Sequence, residues 1–358
     1  MGKFLMVDIG AGTMDVLWYD TETALHYKAV VKSPVRYIAE KAAELRGSLL
    51  VTGTEMGGGP VTGLLRQRAR QAVVVMSASA AATLHHDPER VRAWGIDIVE
   101  DAAAENLQQE LNYARLVLGD IDAERLRKIV EGFGVPFACD AVVVCAQDHG
   151  VPPAGVSHLD YRHNMFLKRL EKTPYPHVLL YKSDEVPAEM GRLSAIAQTA
   201  RSIPAAEIYV MDSGMAAILG GSMDILARGR ERIVILDVAT SHTVGAAMLG
   251  DEIAGFFEYH TADITLERIE ELLVDLCNGN IEHGRILAEG GHGAYLRKTI
   301  GFQDVDVIIA TGPKRGLLVN SKLPITYGAP LGDNMMTGAV GLLEALRRRK
   351  GLPPISYL

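Results

Sequence analysis

Short apolar runs that stop on an acid or a glycine recur along the chain. The first, Phe4 to Ile9, is broken by Asp8 and followed by Gly10-Ala-Gly12-Thr13. A second acid, Asp15, precedes Val16-Leu-Trp-Tyr19, which is rich in strand formers. A turn at Thr21-Glu-Thr and a run from Ala24 to Val31 complete a three-strand meander. Helical spacing follows over Pro34 to Leu45, a buried strand over Ser48 to Thr52, and a helix from Pro60, well placed in a first turn, to about Gln71. Further strands are predicted over 72–76, 96–99, 140–146, 177–181 and 207–211. Helices are predicted over 79–84, 102–118, 122–133 and 187–202, with Asp122 as an N-cap. Asp212-Ser-Gly caps a further helix of small residues.

The opening pattern then returns. Arg232-Ile-Val-Ile-Leu-Asp237 is an apolar run ending on an acid; Val238 to Thr243 is a small polar turn; strands follow over 244–249 and 253–259. Strand, acid, turn, strand, turn, strand is the order of residues 3–31, which points to two related lobes. A helix over 264–276 and a strand over 304–310 come next. A helix capped at Asp333 or Asn334 runs to Lys350, with Gly351 past its end and Pro353 beyond. Its terminal Arg run complements the helix dipole.

A chain of 358 residues exceeds the roughly 250–300 at which one core stops growing. Two lobes are therefore expected. A net charge of −8 argues against nucleic acid and anionic membrane as partners. No apolar run approaches the roughly 20 residues of a membrane span, and Asp8 interrupts what would be a signal peptide. Three cysteines without a Cys-x-x-Cys pair fit a reducing cytoplasm, and neither a disulfide framework nor a thiolate metal site.

The first hairpin is neither of two familiar glycine motifs. A dinucleotide fingerprint needs glycine where Asp15 stands, and a P-loop needs a lysine. Two readings stay open for it. Successive turn N–H groups could cradle phosphate oxygens while Asp8 holds a hydrated cation, or the tip is an ordinary turn with two solvated acids. Recurrence of the acid at Asp237 favours a site shared by the two meanders. The loop Gly57-Gly-Gly-Pro60 is a lesser anion candidate, more simply a close backbone passage. Gln147-Asp-His149-Gly and the nearby His158, Arg162 and His163 match no metal template and read as a surface loop with incidental histidines. Glu289-Gly-Gly-His292-Gly reads as a flexible loop, and Thr311-Gly-Pro-Lys-Arg-Gly316 as a turn that lets a base or ribose approach backbone.

In this order the motifs resemble the actin, hexokinase and heat-shock-protein-70 ATPase superfamily. Asp8-x-Gly-x-Gly-Thr13-x-Asp15 is similar to its first phosphate motif, Asp212-Ser-Gly-Met-Ala-Ala to its first connecting helix, and Asp237-Val-Ala-Thr240-Ser to its second phosphate motif. Ala310-Thr-Gly312-Pro313 is similar to its adenosine motif, and Gly338-Ala-Val-Gly-Leu-Leu to its second connecting helix. Ala239 stands where that superfamily has glycine. The resemblance implies an α/β, two-lobed, duplicated ribonuclease-H-like fold with mixed sheets flanked by helices. It implies lobes over 1–212 and 213–336, with residues 337–358 returning to the first. It also implies ATP and Mg²⁺ in the cleft. Gly10, Gly12 and Thr13 would hold the β- and γ-phosphates and Thr240 their other side. Asp8 and Asp237 would orient the metal, Asp212 would position the attacking water or acceptor hydroxyl, and Gly312, Pro313 and Arg315 would line the adenosine pocket.

The middle of the chain resembles a family labelled as related to the pyruvate formate-lyase activating enzyme. That label implies radical S-adenosylmethionine chemistry, which needs three closely spaced cysteines; the chain has no such triplet. The expectation is an ATPase or a small-molecule kinase acting on an unnamed molecule or protein partner. A non-catalytic scaffold that keeps the fold, and metal chemistry at His149 and His292, are the alternatives.

Overall fold

The computed structural model describes residues 2–109, 112–153 and 156–357. The opening meander forms as the pattern predicts: β1 (Lys3–Ile9), β2 (Thr13–Asp20) and β3 (His26–Lys32). Phe4, Leu5, Met6, Val7 and Ile9 are all buried, so β1 is a central strand covered on both faces. After α1 (Pro34–Glu44), whose cap is the Ser33 hydroxyl, comes an inserted unit. It runs β4 (Leu49–Gly53), α2 (Gly59–Ala69), β5 (Val74–Ser77), α3 (Ala78–Ala81), α4 (Pro88–Arg92), β6 (Asp97–Val99), α5 (Asp101–Leu107) and β7 (Ala114–Leu118). Its four parallel strands are ordered β6-β5-β4-β7 around their own core of Leu49, Val51, Leu65, Val74 and Met76.

The chain then returns to the first sheet through α6 (Ala123–Gly132), β8 (Cys139–Ala146), α7 (His158–Leu170), β9 (Leu180–Lys182), α8 (Gly191–Thr199) and β10 (Ala205–Asp212). The order is β3-β2-β1-β8-β10-β9, with β8 parallel to β1 and to β10. After α9 (Ser213–Ser222) the second lobe is built from β11 (Arg232–Val238), β12 (His242–Leu249), β13 (Glu252–His260), α10 (Leu266–Asn278), α11 (His283–Ala288), β14 (Gly293–Leu296), β15 (Val307–Thr311) and β16 (Ile325–Tyr327). Its order is β14-β13-β12-β11-β15-β16, with β15 parallel to β11 and to β16. Each sheet therefore contains the same arrangement, an antiparallel three-strand meander extended by parallel strands beside its first strand. That is the ribonuclease-H-like unit, present twice, and the fold is the duplicated α/β arrangement of actin-like proteins.

Helices α9 and α12 (Thr337–Lys350) cross between the lobes. α9 follows a strand of the first sheet yet packs on β11 and β12 of the second; α12 follows the second lobe yet packs on β1 and β8 of the first. A Cβ on Gly220 would lie 1.8 Å from the Thr337 carbonyl oxygen, and one on Gly341 1.8 Å from that of Ala216, so backbone meets backbone at the crossing.

The end of α12 is tied down by Glu344, buried and hydrogen-bonded by Arg347 (2.7 and 2.8 Å), Arg348 (2.6 Å) and the Tyr357 hydroxyl (3.0 Å). Burial alone would raise this carboxyl, but the two guanidinium groups hold it below its usual value. A depressed folded pKa contributes stability above the unfolded value, and that contribution is lost as pH falls through the folded one. Glu344→Gln should therefore cost about 2 kcal/mol at pH 7 and less at pH 3. Urea unfolding at the two pH values measures the difference.

Three segments depart from the sequence reading. Residues 114–118, expected inside a helix, form β7, because Ala114 to Leu118 alternate toward core and solvent and pair with β4. Residues 158–163, expected in a surface loop, lie in α7, capped by Ser157. Its inward face carries Arg162 and His163 beside Phe166 and Leu170, so the apolar period is masked by buried polar residues. The strand expected over 177–181 is a 3₁₀ turn through Leu179 and then β9. No helix among the described residues is long and apolar enough to cross a membrane.

Candidate functional site

The two meander tips meet in the cleft. Gly10 N–H donates to the Thr13 carbonyl at 3.0 Å, and Ala239 N–H to that of His242 at 3.1 Å, so the two turns close identically. Gly10 corresponds to Ala239, and Thr13 to His242. Neither Gly10 nor Ala239 has positive φ, so alanine imposes no backbone strain on the second turn. A Cβ on Gly12 would lie 2.7 Å from Thr240 Oγ1; glycine there lets the tips touch.

Behind the tips lie the acids. Asp8 and Asp15 are direct cross-strand partners, whereas Asp237 is paired with Val244. Like charges directly opposite repel. Burial raises Asp8 to about 6, opposed by a hydrogen bond from Cys145 Sγ (3.1 Å) and reinforced by the charge of Asp237. Burial raises Asp237 to about 6, opposed by a 2.8 Å bond from Thr311 Oγ1. Asp15 is pushed to about 8 by burial, then by Asp8, with further contributions from Asp333 and Asp237. Its Oδ1 is buried with no hydrogen-bond partner. Asp8 also lies against α12: a Cβ on Gly338 would come within 2.0 Å of Asp8 Oδ2. Here carboxylates converge with little to balance them, a donor set suited to a hard cation such as Mg²⁺.

These groups line a cavity of about 610 Å³, within the size of small-molecule sites. Asp8, Gly10, Thr13, Asp15, Asp237, Thr240, Gly312 and Pro313 border it. Asn334 braces the Gly312 carbonyl at 3.1 Å. The glycine loop through Gly57, Gly58 and Gly59 forms another wall. A Cβ on Gly58 would lie 2.7 Å from the Thr83 carbonyl oxygen, so this loop does pass close to backbone. Arg315 is placed elsewhere: its guanidinium donates to the Gly328 carbonyl at 2.6 Å and lies over the Tyr327 ring.

Asp212 caps α9 by accepting from Gly214 N–H (3.0 Å) and Met215 N–H (3.3 Å), and its other oxygen accepts from Arg162 Nη2 at 2.9 Å. Arg162 also donates to Glu258, which accepts from Gln147 as well. This buried triad links the two lobes. Burial raises Asp212 against the pull of Arg162, while for Glu258 the Arg162 charge and hydrogen bonds outweigh burial and hold the carboxyl low. No signal of sequence spacing connects Arg162 to Asp212 and Glu258, which lie 50 and 96 positions away.

His149, His158, His242 and His260 line the same cavity, and His292 packs behind them. His149 and His292 have ring centroids 5.9 Å apart, and His149 and His242 6.1 Å. His149 faces the cavity while surrounded by protein, and burial and the nearby Arg162 lower it to about 3; burial likewise lowers His242 to about 3. His292, expected on a flexible loop, is buried, its backbone N–H donating to the Glu258 carbonyl at 2.8 Å. His163 stacks on His283 with centroids 3.8 Å apart, and His158 borders the cavity. These histidines are parts of a packed wall, not incidental loop residues.

The cysteines do not fit an iron–sulfur cluster. Cys139 and Cys145 lie at the two ends of β8, about 20 Å apart at roughly 3.3 Å per residue. Cys277 is buried in α10 of the other lobe. Burial pushes the Cys139 and Cys277 thiols up to about 12, and Cys145 well above its ordinary value.

No curated protein matches the chain. Solved structures that it is similar to include the inorganic polyphosphate/ATP-glucomannokinase of Arthrobacter sp. strain KM (11% identity, 97% of this chain and 99% of that one, TM-score 0.36). A Bacteroides thetaiotaomicron protein described as having an actin-like ATPase fold and unknown function gives 9% identity, 95% of each chain and a TM-score of 0.37. AlfA from a B. subtilis plasmid, solved as a filament, gives 11%, 96% and 98%, and 0.37. Likenesses this loose carry no activity across. Residues 56–317 match one family model across most of the chain, and the chain belongs to that family, described as "Putative pyruvate format-lyase activating enzyme (DUF1786)".

Proposed function

We propose that the interlobe cleft binds a nucleoside triphosphate with Mg²⁺ and acts in phosphoryl transfer, as an ATPase or as a kinase of a small molecule. The observation that carries this reading is the convergence on one cavity of Asp8 and Asp237, from matching places in two meanders, and of Asp15, whose Oδ1 is an orphaned carboxylate oxygen. Asp8 and Asp237 would hold the hydrated cation. The Gly12 N–H and the Thr13 hydroxyl would bind phosphate oxygens from one tip, and Thr240 from the other; the Gly10 N–H is spent on closing the turn, so Gly10 would act by shaping it. Gly312 and Pro313 would border the nucleoside, and Arg315 would support that turn through the Gly328 carbonyl. The cation, when bound, neutralises phosphate charge; such positioning and neutralisation are most of what phosphoryl transfer requires. Asp212 does not border the cavity, its two oxygens being held by the start of α9 and by Arg162, so it would set the end of α9 against the cleft and not touch the attacking oxygen itself. The loops carrying Gln147 and His292, which approach each other beside Glu258, would form the acceptor side.

The radical chemistry in the family's description has no cysteine set to support it in this chain, and no step is derived through it. The test is thermal unfolding with ATP, ADP and GTP, each with Mg²⁺ and with chelator. At a ligand concentration 100 times Kd the expected stabilisation is about 2.7 kcal/mol, present with Mg²⁺ and lost with chelator. Absence of any shift with all three nucleotides would overturn the reading in favour of a scaffold that retains the fold.

A further inference from the structure

The cleft holds a second donor set, chemically unlike the carboxylates. His242 opens β12, His260 closes β13, and the two are direct cross-strand partners. His292 immediately precedes β14, the neighbour of β13. Three adjacent strands thus deliver one imidazole each to the same end of the sheet. One ring nitrogen from each lies within 4.8 Å of the other two. Ring centroids are 4.5, 4.7 and 4.3 Å apart, with interplanar angles of 40°, 55° and 80°.

Packing alone does not account for this cluster. His242 Nε2 and His292 Nδ1 are buried without a hydrogen-bond partner, and orphaned buried polar atoms carry a desolvation cost. An ion would relieve the unpaired lone pair of His242 Nε2, while His292 Nδ1 faces Glu258 and leaves that ring's other nitrogen for the ion. A tetrahedral ion about 2.05 Å from each nitrogen requires the rings to draw in modestly from their present spacing. The outer partner is also present: Glu258 Oε1 lies 3.7 Å from His292 Nδ1, and Arg162 and Gln147 fix Glu258 in place. A carboxylate behind a ligating imidazole sets its tautomer and orientation. The first meander has Thr13 opposite Lys32 at the matching register, so the histidine pair belongs to the second tip alone.

We propose that His242, His260 and His292 form a tri-histidine site for a divalent transition cation of the zinc class, with a further coordination position open to the cavity. All-imidazole donors select zinc, nickel or copper over Mg²⁺, so this ion is distinct from the one assigned to Asp8 and Asp237. Three protein ligands with an open position is the arrangement of sites that activate a water or polarise a substrate oxygen. His149, also in the cavity wall, has its ring centroid 6.1 Å from that of His242 and 5.9 Å from that of His292. The inference does not rest on nucleotide binding.

The experiment uses untagged full-length protein stripped with chelator and titrated with Co²⁺ alone, then with Zn²⁺ as competitor, without nucleotide. One Co²⁺ per chain with intense visible absorption, displaced by Zn²⁺, is expected. His260→Ala and His292→Ala should each weaken binding by more than the roughly 10–100-fold that outer-partner changes cost. Asp8→Ala should leave Co²⁺ affinity unchanged, which separates this site from the carboxylates. Circular dichroism checks that each variant is folded; His260→Gln and His292→Gln replace any that is not. A folded wild type that takes up neither Co²⁺ nor Zn²⁺, histidine variants that bind as tightly as wild type, or loss of Co²⁺ binding in Asp8→Ala would each overturn the proposal.

Discussion

In an Asp8→Ala variant, ATP with Mg²⁺ is expected to leave the melting temperature where it stands without nucleotide. The wild type should rise by several degrees, at roughly 2–4 °C per kcal/mol for larger domains. The reason lies in what Asp8 opposes. It faces Asp15 directly across the hairpin and feels the charge of Asp237, and burial raises it to about 6. A bound cation turns that repulsion into attraction; without the carboxylate, the cation loses a ligand on one side of the cleft. The same repulsion makes the variant's ligand-free behaviour informative. Removing one of several crowded acids should leave the unliganded protein at least as stable as wild type. A lost nucleotide response therefore reports on the site and not on unfolding. Unchanged stabilisation by Mg²⁺ and nucleotide in Asp8→Ala would rule out the role assigned to this residue.

Gly341→Val should be among the most destabilising single substitutions in the chain, at about 4 kcal/mol or more. A Cβ there falls 1.8 Å from the Ala216 carbonyl oxygen, well inside contact distance, and the obstacle is backbone that no rotamer change can move. The reciprocal contact at Gly220 leaves α9 no room to yield. Separating the helices would open both cores, since α9 covers the second sheet and α12 the first. Gly63→Ala in α2, where a Cβ meets nothing within 4 Å, is the control, expected to stabilise by up to about 1 kcal/mol. Urea unfolding of the three proteins decides it; Gly341→Val within 1 kcal/mol of wild type would show that the crossing relaxes more readily than its geometry implies.

The frame was legible wherever local chemistry and burial agree. β1 and β11 are apolar runs ended by an acid, Asp122 and Asp212 cap as their positions suggest, and Gly351 closes α12 with φ 62°. Repetition of the meander revealed the duplication because both copies keep the same acid at the same register. Legibility failed where polar side chains are buried by partners far along the chain. α7 reads as loop because Arg162, which belongs to an inward face, is satisfied only by Asp212 and Glu258. Likewise His242, His260 and His292 share no sequence spacing. Their proximity comes from strand register, which pairs His242 with His260 and sets β14 alongside β13. Ala239 shows the converse: a departure from an expected glycine that the structure makes inconsequential for backbone geometry, since its turn needs no positive φ.

The exchange of helices between lobes also sets an order for folding during synthesis. The first lobe's opening strand is made at residues 3–9, but the helix that covers β1 and β8 is residues 337–350. Domains generally fold as units as they emerge, N-terminal part first. This chain cannot follow that course to completion. Its first sheet waits, with one apolar face uncovered, until the second lobe has been made. The inserted parallel sheet, with its own core, is the part able to settle early. The first lobe to be translated is thus the last to be finished, and the arrival of α12 is the event that closes it.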